Sequence, residues 1–192
     1  MDYKAVKKYV LNKLEKELLP MYTYHGIHHT LDVLKVCKRL CKSENISEKD
    51  TLLLQTAVLL HDIGFTVSAS EHERRGCEIA KEILPQFGFS GSEIESICAM
   101  IMATKIPQTP RTLQEKVICD ADLDYLGRND FFSIGQTLFE ELKALDTIQT
   151  EQQWNTMQVK FLEQHQYHTK TTLQLRETKK QKHLKLIKEL LS

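Results

Sequence analysis

Thr51-Leu52-Leu53-Leu54-Gln55-Thr56-Ala57-Val58-Leu59-Leu60-His61-Asp62-Ile63-Gly64 sets the architecture of this chain. The run from Leu52 to Leu60 is too densely apolar for one exposed face, so it reads as a helix buried on most sides. Ser47 precedes it as N-cap, with Asp50 three residues on. Gly64 is expected to end it as a C-cap. The apolar run puts the adjacent His61-Asp62 pair at the edge of a core, where an unpaired carboxylate is costly.

Helical spacing continues in both directions. Val6, Val10, Leu14 and Leu18 form one stripe that stops before Pro20. A loop of Tyr and His residues follows, then a helix over 30–41. Downstream, helices are expected over 71–84, stopped by Pro85, and from Ser90, whose capping box uses Glu93, to 104. Thr109-Pro110 reads as the opening of a helix to Cys119, and 120–126 continues helically toward Gly127. Further helices are expected over 130–145, over 151–164 behind Thr150 and Gln153, and from Thr171 to the end.

Only 7 Gly and 4 Pro occur in 192 residues, which disfavours a turn-rich β fold. With 41% hydrophobic residues a core can be built. The expectation is an all-α fold, one domain over residues 1–192. Residues 20–130 would form its functional core, and helices over 131–192 would pack on that core. Lys+Arg and Asp+Glu both number 26, so no global basic field drives nucleic-acid or anionic-membrane binding. Nothing approaches the ~18 consecutive apolar residues of a membrane span, and the first residues lack a signal peptide's apolar stretch. Five cysteines without a C-x-x-C pair read as free thiols in a reducing compartment, hence a cytoplasmic protein. The lysine-rich tail 179–188 reads as the solvated face of a helix, with Leu184, Ile187 and Leu191 inward.

The chemistry-bearing residues are sparse. His25, His28 and His29 cluster at the entry of one helix, His61-Asp62 closes the buried one, and Asp120, Asp122 and Asp124 follow some sixty residues later. Imidazole with carboxylate suits a divalent first-row metal. Rival motifs fail on spacing. Asp120-x-Asp122-x-Asp124 has Tyr125 and Phe131 where a calcium loop needs Gly and Glu. His72-Glu73 lacks the second His of a zinc-protease helix. No glycine-rich phosphate loop is present.

Three segments, Tyr24-His25-Gly26-Ile27-His28-His29-Thr30, His61-Asp62 and Ala121-Asp122-Leu123-Asp124-Tyr125-Leu126-Gly127, together resemble the HD superfamily of metal-dependent phosphohydrolases. Glu71-His72-Glu73-Arg74-Arg75-Gly76 adds to the likeness, which covers residues 20–130. The resemblance implies that His29, His61, Asp62 and Asp122 hold one divalent ion, with Mn, Fe, Mg, Ni and Zn all admissible. It implies hydrolysis of a phosphate ester, mono- or diester, by metal-bound hydroxide. The substrate would be a small phosphorylated molecule, such as a nucleotide or second messenger. The Y-H-x-x-x-H spacing resembles that of cyclic-nucleotide phosphodiesterases, whose corresponding histidine, here His25, donates a proton to the leaving oxygen. Gly26 departs from the Asn frequent in that family.

Around this set, Glu71 is a candidate proton acceptor from the attacking water, and Lys105 a candidate phosphate cation. Arg74, Arg75 and Arg128 read as surface ion-pair partners, Asp120 and Asp124 as local caps, and His165 and His168 as structural. His72 could serve a second ion, although Thr104 stands where dinuclear members bring a further His. Two other functions stay open: a module that binds a phosphorylated ligand without turnover, and a di-iron oxygenase. Nothing in the sequence fixes the oligomeric state.

Overall fold

The computed structural model describes residues 1–191. Among them are nine α-helices and no strand: α1 (Tyr3–Glu17), α2 (Ile27–Ser43), α3 (Glu48–Leu60), α4 (His72–Ile83), α5 (Gly91–Ala103), α6 (Leu113–Asp122), α7 (Phe131–Ala144), α8 (Glu151–Gln164) and α9 (Lys170–Glu189). Short 3₁₀ turns follow α3 (Ile63–Thr66), α4 (Leu84–Phe87) and α6 (Asp124–Gly127). The all-α expectation holds. No described helix is long and apolar enough to cross a membrane.

The central helix is α3, touched by α1, α2, α5 and α6. Leu54, Ala57, Val58, Leu59 and Leu60 are at most 1% exposed, which accounts for the unbroken apolar run in its sequence. Ser47 caps it by accepting from the Asp50 amide at 3.1 Å. The packing of α1 to α6 around α3 forms one hydrophobic cluster that ends at Ala121. A second cluster gathers Tyr24 with Leu123, Tyr125, Leu126 and Phe131, and with Leu162 of α8 and Ile187 of α9. Asp122 lies between the two clusters, so the carboxylate sits where two cores meet.

Several boundaries differ from the sequence reading. Gly64 is no C-cap. That position belongs to His61, and Gly64 lies inside the 3₁₀ turn. A Cβ on Gly64 would stand 2.0 Å from the His72 carbonyl oxygen, so the start of α4 can approach only a glycine. Gly64→Ala is expected to destabilise the fold by about 2 kcal/mol. A fall in the urea midpoint would show it, and an unchanged midpoint would refute the close-approach reading. The helix expected behind Thr109-Pro110 opens instead at Thr112, whose hydroxyl accepts from the Glu115 amide while Glu115 reaches back. In α9, Leu184 and Ile187 are buried but Leu191 is exposed. Lys180, in the lysine-rich run, is 2% exposed. Its ammonium donates to the His165 carbonyl at 2.7 Å and lies over the Tyr167 ring.

Candidate metal centre and its cavity

Four side chains converge from three helix ends. His29 is in the first turn of α2, which begins at Ile27 behind the N-cap Gly26. His61 is the last turn-forming residue of α3, and Asp62 leaves the helix at φ −104°, ψ 2°. Asp122 is the last residue of α6. A carboxylate at a helix C-terminus opposes the helix dipole, so its place there calls for a positive partner.

The donor atoms meet closely. His29 Nε2 is 3.1 Å from Asp122 Oδ1, 3.3 Å from His61 Nε2 and 3.4 Å from Asp62 Oδ2. One donor atom each from His29, His61 and Asp122 fits within a 4.8 Å span. His61 Nε2 is also 3.1 Å from Asp62 Oδ2, yet that buried oxygen makes no hydrogen bond. His61 Nδ1 donates to the Val58 carbonyl at 2.8 Å, which fixes the ring and turns Nε2 toward the cluster.

The electrostatics agree with the geometry. Burial alone would discharge His61, but the carboxylates of Asp62 and Asp122 raise its pKa well above 6.5. Burial likewise works against the Asp62 and Asp122 carboxylates, and the facing histidines hold both well below the ordinary range. Two buried carboxylates thus draw a cation to one point, be it a proton or a metal. The orphaned Asp62 oxygen, the His61 tautomer and the mixed N/O donor set all fit a divalent ion.

His25 stands beside this cluster. Its Nδ1 is 2.5 Å from Oε1 of Glu141, a residue of α7 that is 1% exposed. The same carboxylate accepts from the Tyr24 and His25 amides at 2.8 and 3.0 Å. Burial lowers the pKa of His25, but the Glu141 bond and the charges of Asp62 and Asp122 outweigh it, and the net shift is upward. Phe65 stacks on both the His25 and His72 rings, 4.2 Å from each, and those two rings are 6.3 Å apart. His72 Nε2 is 3.7 Å from Asp62 Oδ1 and 3.4 Å from Glu73 Oε1.

A cavity of about 220 Å³ opens on the cluster. Asp62, Asp122, His25, His72 and Glu73 line one end, and side chains of α7 and α8 wall the other. Glu71 and Lys105 do not line it. Glu71 is exposed and paired with Arg74 at 3.0 Å. The helix begins at His72, and its inward phase runs through Glu73, Gly76 and Cys77, so Glu73 takes the place expected of Glu71. Lys105 is exposed on the turn after α5, between the lining residues Thr104 and Ile106.

Asp120 and Asp124 do not act as local caps. Asp120 accepts from the His168 and Thr169 amides, both at 2.8 Å. Asp124 binds Arg39 at 2.9 Å and Arg176 at 2.8 Å. Arg74 and Arg128 form the expected ion pairs, Arg128 with Asp32 and Asp130. Arg75 instead donates to the Ser70 carbonyl. Glu141 and Glu73 escaped the sequence reading. Glu141 carries no motif signal, whereas the helix phase from His72 could have found Glu73.

A sequence model of the HD domain matches residues 26–124, just over half of the chain. An uncharacterized protein of Clostridium beijerinckii is 32% identical over 88 residues, 44% of this chain and 54% of its own length. The matched stretch spans about half of that relative. Two solved structures share the fold along nearly all of the chain. A predicted HD superfamily hydrolase of an uncultured Thermotogales bacterium has a TM-score of 0.63 at 22% identity, covering 96% of this chain and 90% of its own. A protein of Lactobacillus plantarum has a TM-score of 0.67 at 14% identity, covering 98% and 94%. At such identities the likeness speaks for the fold, and it extends through α7, α8 and α9. With three separated helix ends supplying the H…HD…D set inside the matched region, the chain belongs to the HD domain family.

Proposed function

We propose that this protein hydrolyses a phosphate ester of a small molecule with the help of one divalent ion held by His29, His61, Asp62 and Asp122. The observation that carries the reading is the buried Asp62 oxygen, which meets two imidazole nitrogens without hydrogen-bonding to either. A divalent ion bound there supplies a water of lowered pKa and polarises a phosphoryl oxygen. His25 donates a proton to the leaving oxygen, and the Glu141 carboxylate behind it, which shifts its pKa upward, favours the protonated ring. Glu141 orients the His25 ring through Nδ1 and leaves Nε2 for the substrate. The five buried free cysteines support a cytoplasmic location.

Protein purified without chelator or metal-affinity tag is expected to carry about one divalent ion per chain, lost in Asp122→Ala, as elemental analysis would read. No ion, even after manganese is added, would overturn the hydrolase reading. Two ions would assign His72 and Glu73 to a second site.

Glu141→Gln tests the proton donor. Without the carboxylate charge the His25 pKa falls, so the alkaline limb of the kcat profile is expected to move to lower pH. An unmoved limb would remove His25 from the acid role. The pair also has a stability signature. The part due to Glu141, whose pKa is lowered, is lost as pH falls through its folded value. The part due to His25, whose pKa is raised, is lost as pH rises through its folded value. The advantage of the native protein over Glu141→Gln is therefore expected to be greatest between about 4.5 and 6.5.

A further inference from the structure

We infer that the cavity selects a phosphoester with one phosphoryl group and a flat or branched apolar organic group over polyphosphates. This deepens the proposed function and rests on it for the phosphoryl end.

The apolar wall of the cavity is built from Leu126, Phe131, Leu138, Trp154, Phe161 and Leu162. A cavity of about 220 Å³ has room for an organic group beside one phosphoryl group. Aromatic walls of this kind favour flat apolar groups by burial and ring stacking.

The charges point the same way. Among the described residues, no lysine or arginine lines the cavity. Lys105 is exposed on the turn after α5 and does not line the cavity, and the other nearby cations have partners. Arg39 and Arg176 hold Asp124, Arg128 lies between Asp32 and Asp130, and Lys180 bonds the His165 carbonyl and Glu177. The polar end instead carries the carboxylates Asp62, Asp122 and Glu73. One phosphoryl group can meet a bound ion and His25 there. Further phosphates would face those carboxylates in a low-dielectric space with no counter-charge.

The uncharged polar side chains lining the cavity include the Tyr24 and Tyr125 hydroxyls, Thr104, whose hydroxyl donates to the Ile101 carbonyl at 2.8 Å, and Gln158, whose amide donates to Asn155 at 3.2 Å. Against the phenyl and aliphatic part of the wall, polar groups would lose their water without gaining partners.

Trp154 is the chain's single tryptophan and lines the cavity, so its emission reports occupancy without any turnover. The probe is 4-nitrobenzylphosphonate, which has a C–P bond that cannot be hydrolysed and a nitroaryl group that quenches tryptophan. With manganese-loaded protein it is expected to quench saturably and to bind about tenfold or more tighter than methylphosphonate or ATP in competition. Met157 lines the cavity and is 37% exposed, so Met157→Asp can be accommodated. It is expected to weaken the nitroaryl probe about tenfold with metal content unchanged. Unchanged metal content also shows that the variant is folded. ATP binding as tightly as the nitroaryl probe, or undiminished quenching in Met157→Asp, would overturn the inference. Tight nitroaryl binding by a protein that takes up no metal would sink the hydrolase reading and leave the apolar selection standing.

Discussion

Asp62→Ala is expected to leave the protein without its metal and to reduce turnover by more than about 100-fold. Residues that merely support metal ligands cost about 10–100-fold when removed, and loss of a ligand should exceed that. Asp62 is the most exacting position of the four. It is 4% exposed, it faces both His29 and His61, and its Oδ2 has no other use in the structure. His72 approaches its other oxygen instead, with Nε2 3.7 Å from Oδ1. Elemental analysis together with hydrolysis of a 4-nitrophenyl phosphate ester measures both consequences. Full metal content and full activity in Asp62→Ala would mean that the ion sits elsewhere. Circular dichroism would separate loss of the site from loss of the fold.

Asp124→Ala is expected to cost about 3 kcal/mol of stability, the penalty for breaking a buried ion pair. The carboxylate is 1% exposed and binds Arg39 of α2 and Arg176 of α9, with Arg128 at 3.6 Å. One acid therefore ties the first half of the chain to its last helix. Urea denaturation should show a lower midpoint. A loss below about 0.5 kcal/mol, the range of exposed ion pairs, would mean that the arginines settle equally well in solvent. Gly127 lies three residues on, and a Cβ there would stand 2.4 Å from the Arg176 carbonyl. The α9 backbone thus docks closely as well as electrostatically.

Asp124 also shows where sequence reading stops. An acid two residues beyond a candidate ligand reads as a local cap, because spacing reveals partners three or four residues away and not fifty-two. Glu141 escaped for the same reason: beside Glu140 on an amphipathic helix, only the tertiary approach of Tyr24 and His25 tells which of the two is buried. Glu71 was a candidate and Glu73 was not, because the start of α4 could not be placed to the residue, and an error of one or two positions there turns a helix by more than a quarter of its circumference. Lys180 sits in a run that looks fully solvated, yet a carbonyl and an aromatic ring take it inside. What could be read were features set by nearest neighbours: the buried apolar run of α3, the capping boxes at Ser90 and Thr150, and the imidazoles and carboxylates at helix ends. Those helix ends are where the ligand candidates lie, so the metal cluster could be read while its supporting acids could not.

The ligand candidates all precede residue 123, whereas much of the cavity's apolar wall is drawn from α7 and α8, and the HD match ends at residue 124. On the proposed function, the metal ligands and much of the wall that meets the organic group would thus be encoded on successive stretches of one polypeptide. Substitutions at Phe131, Trp154, Met157, Phe161 or Leu162 would then change which organic group is admitted while the ligands, and Glu141 behind His25, stay intact. For descendants of this chain, acquiring a new substrate would mean altering the lining rather than rebuilding the reaction centre.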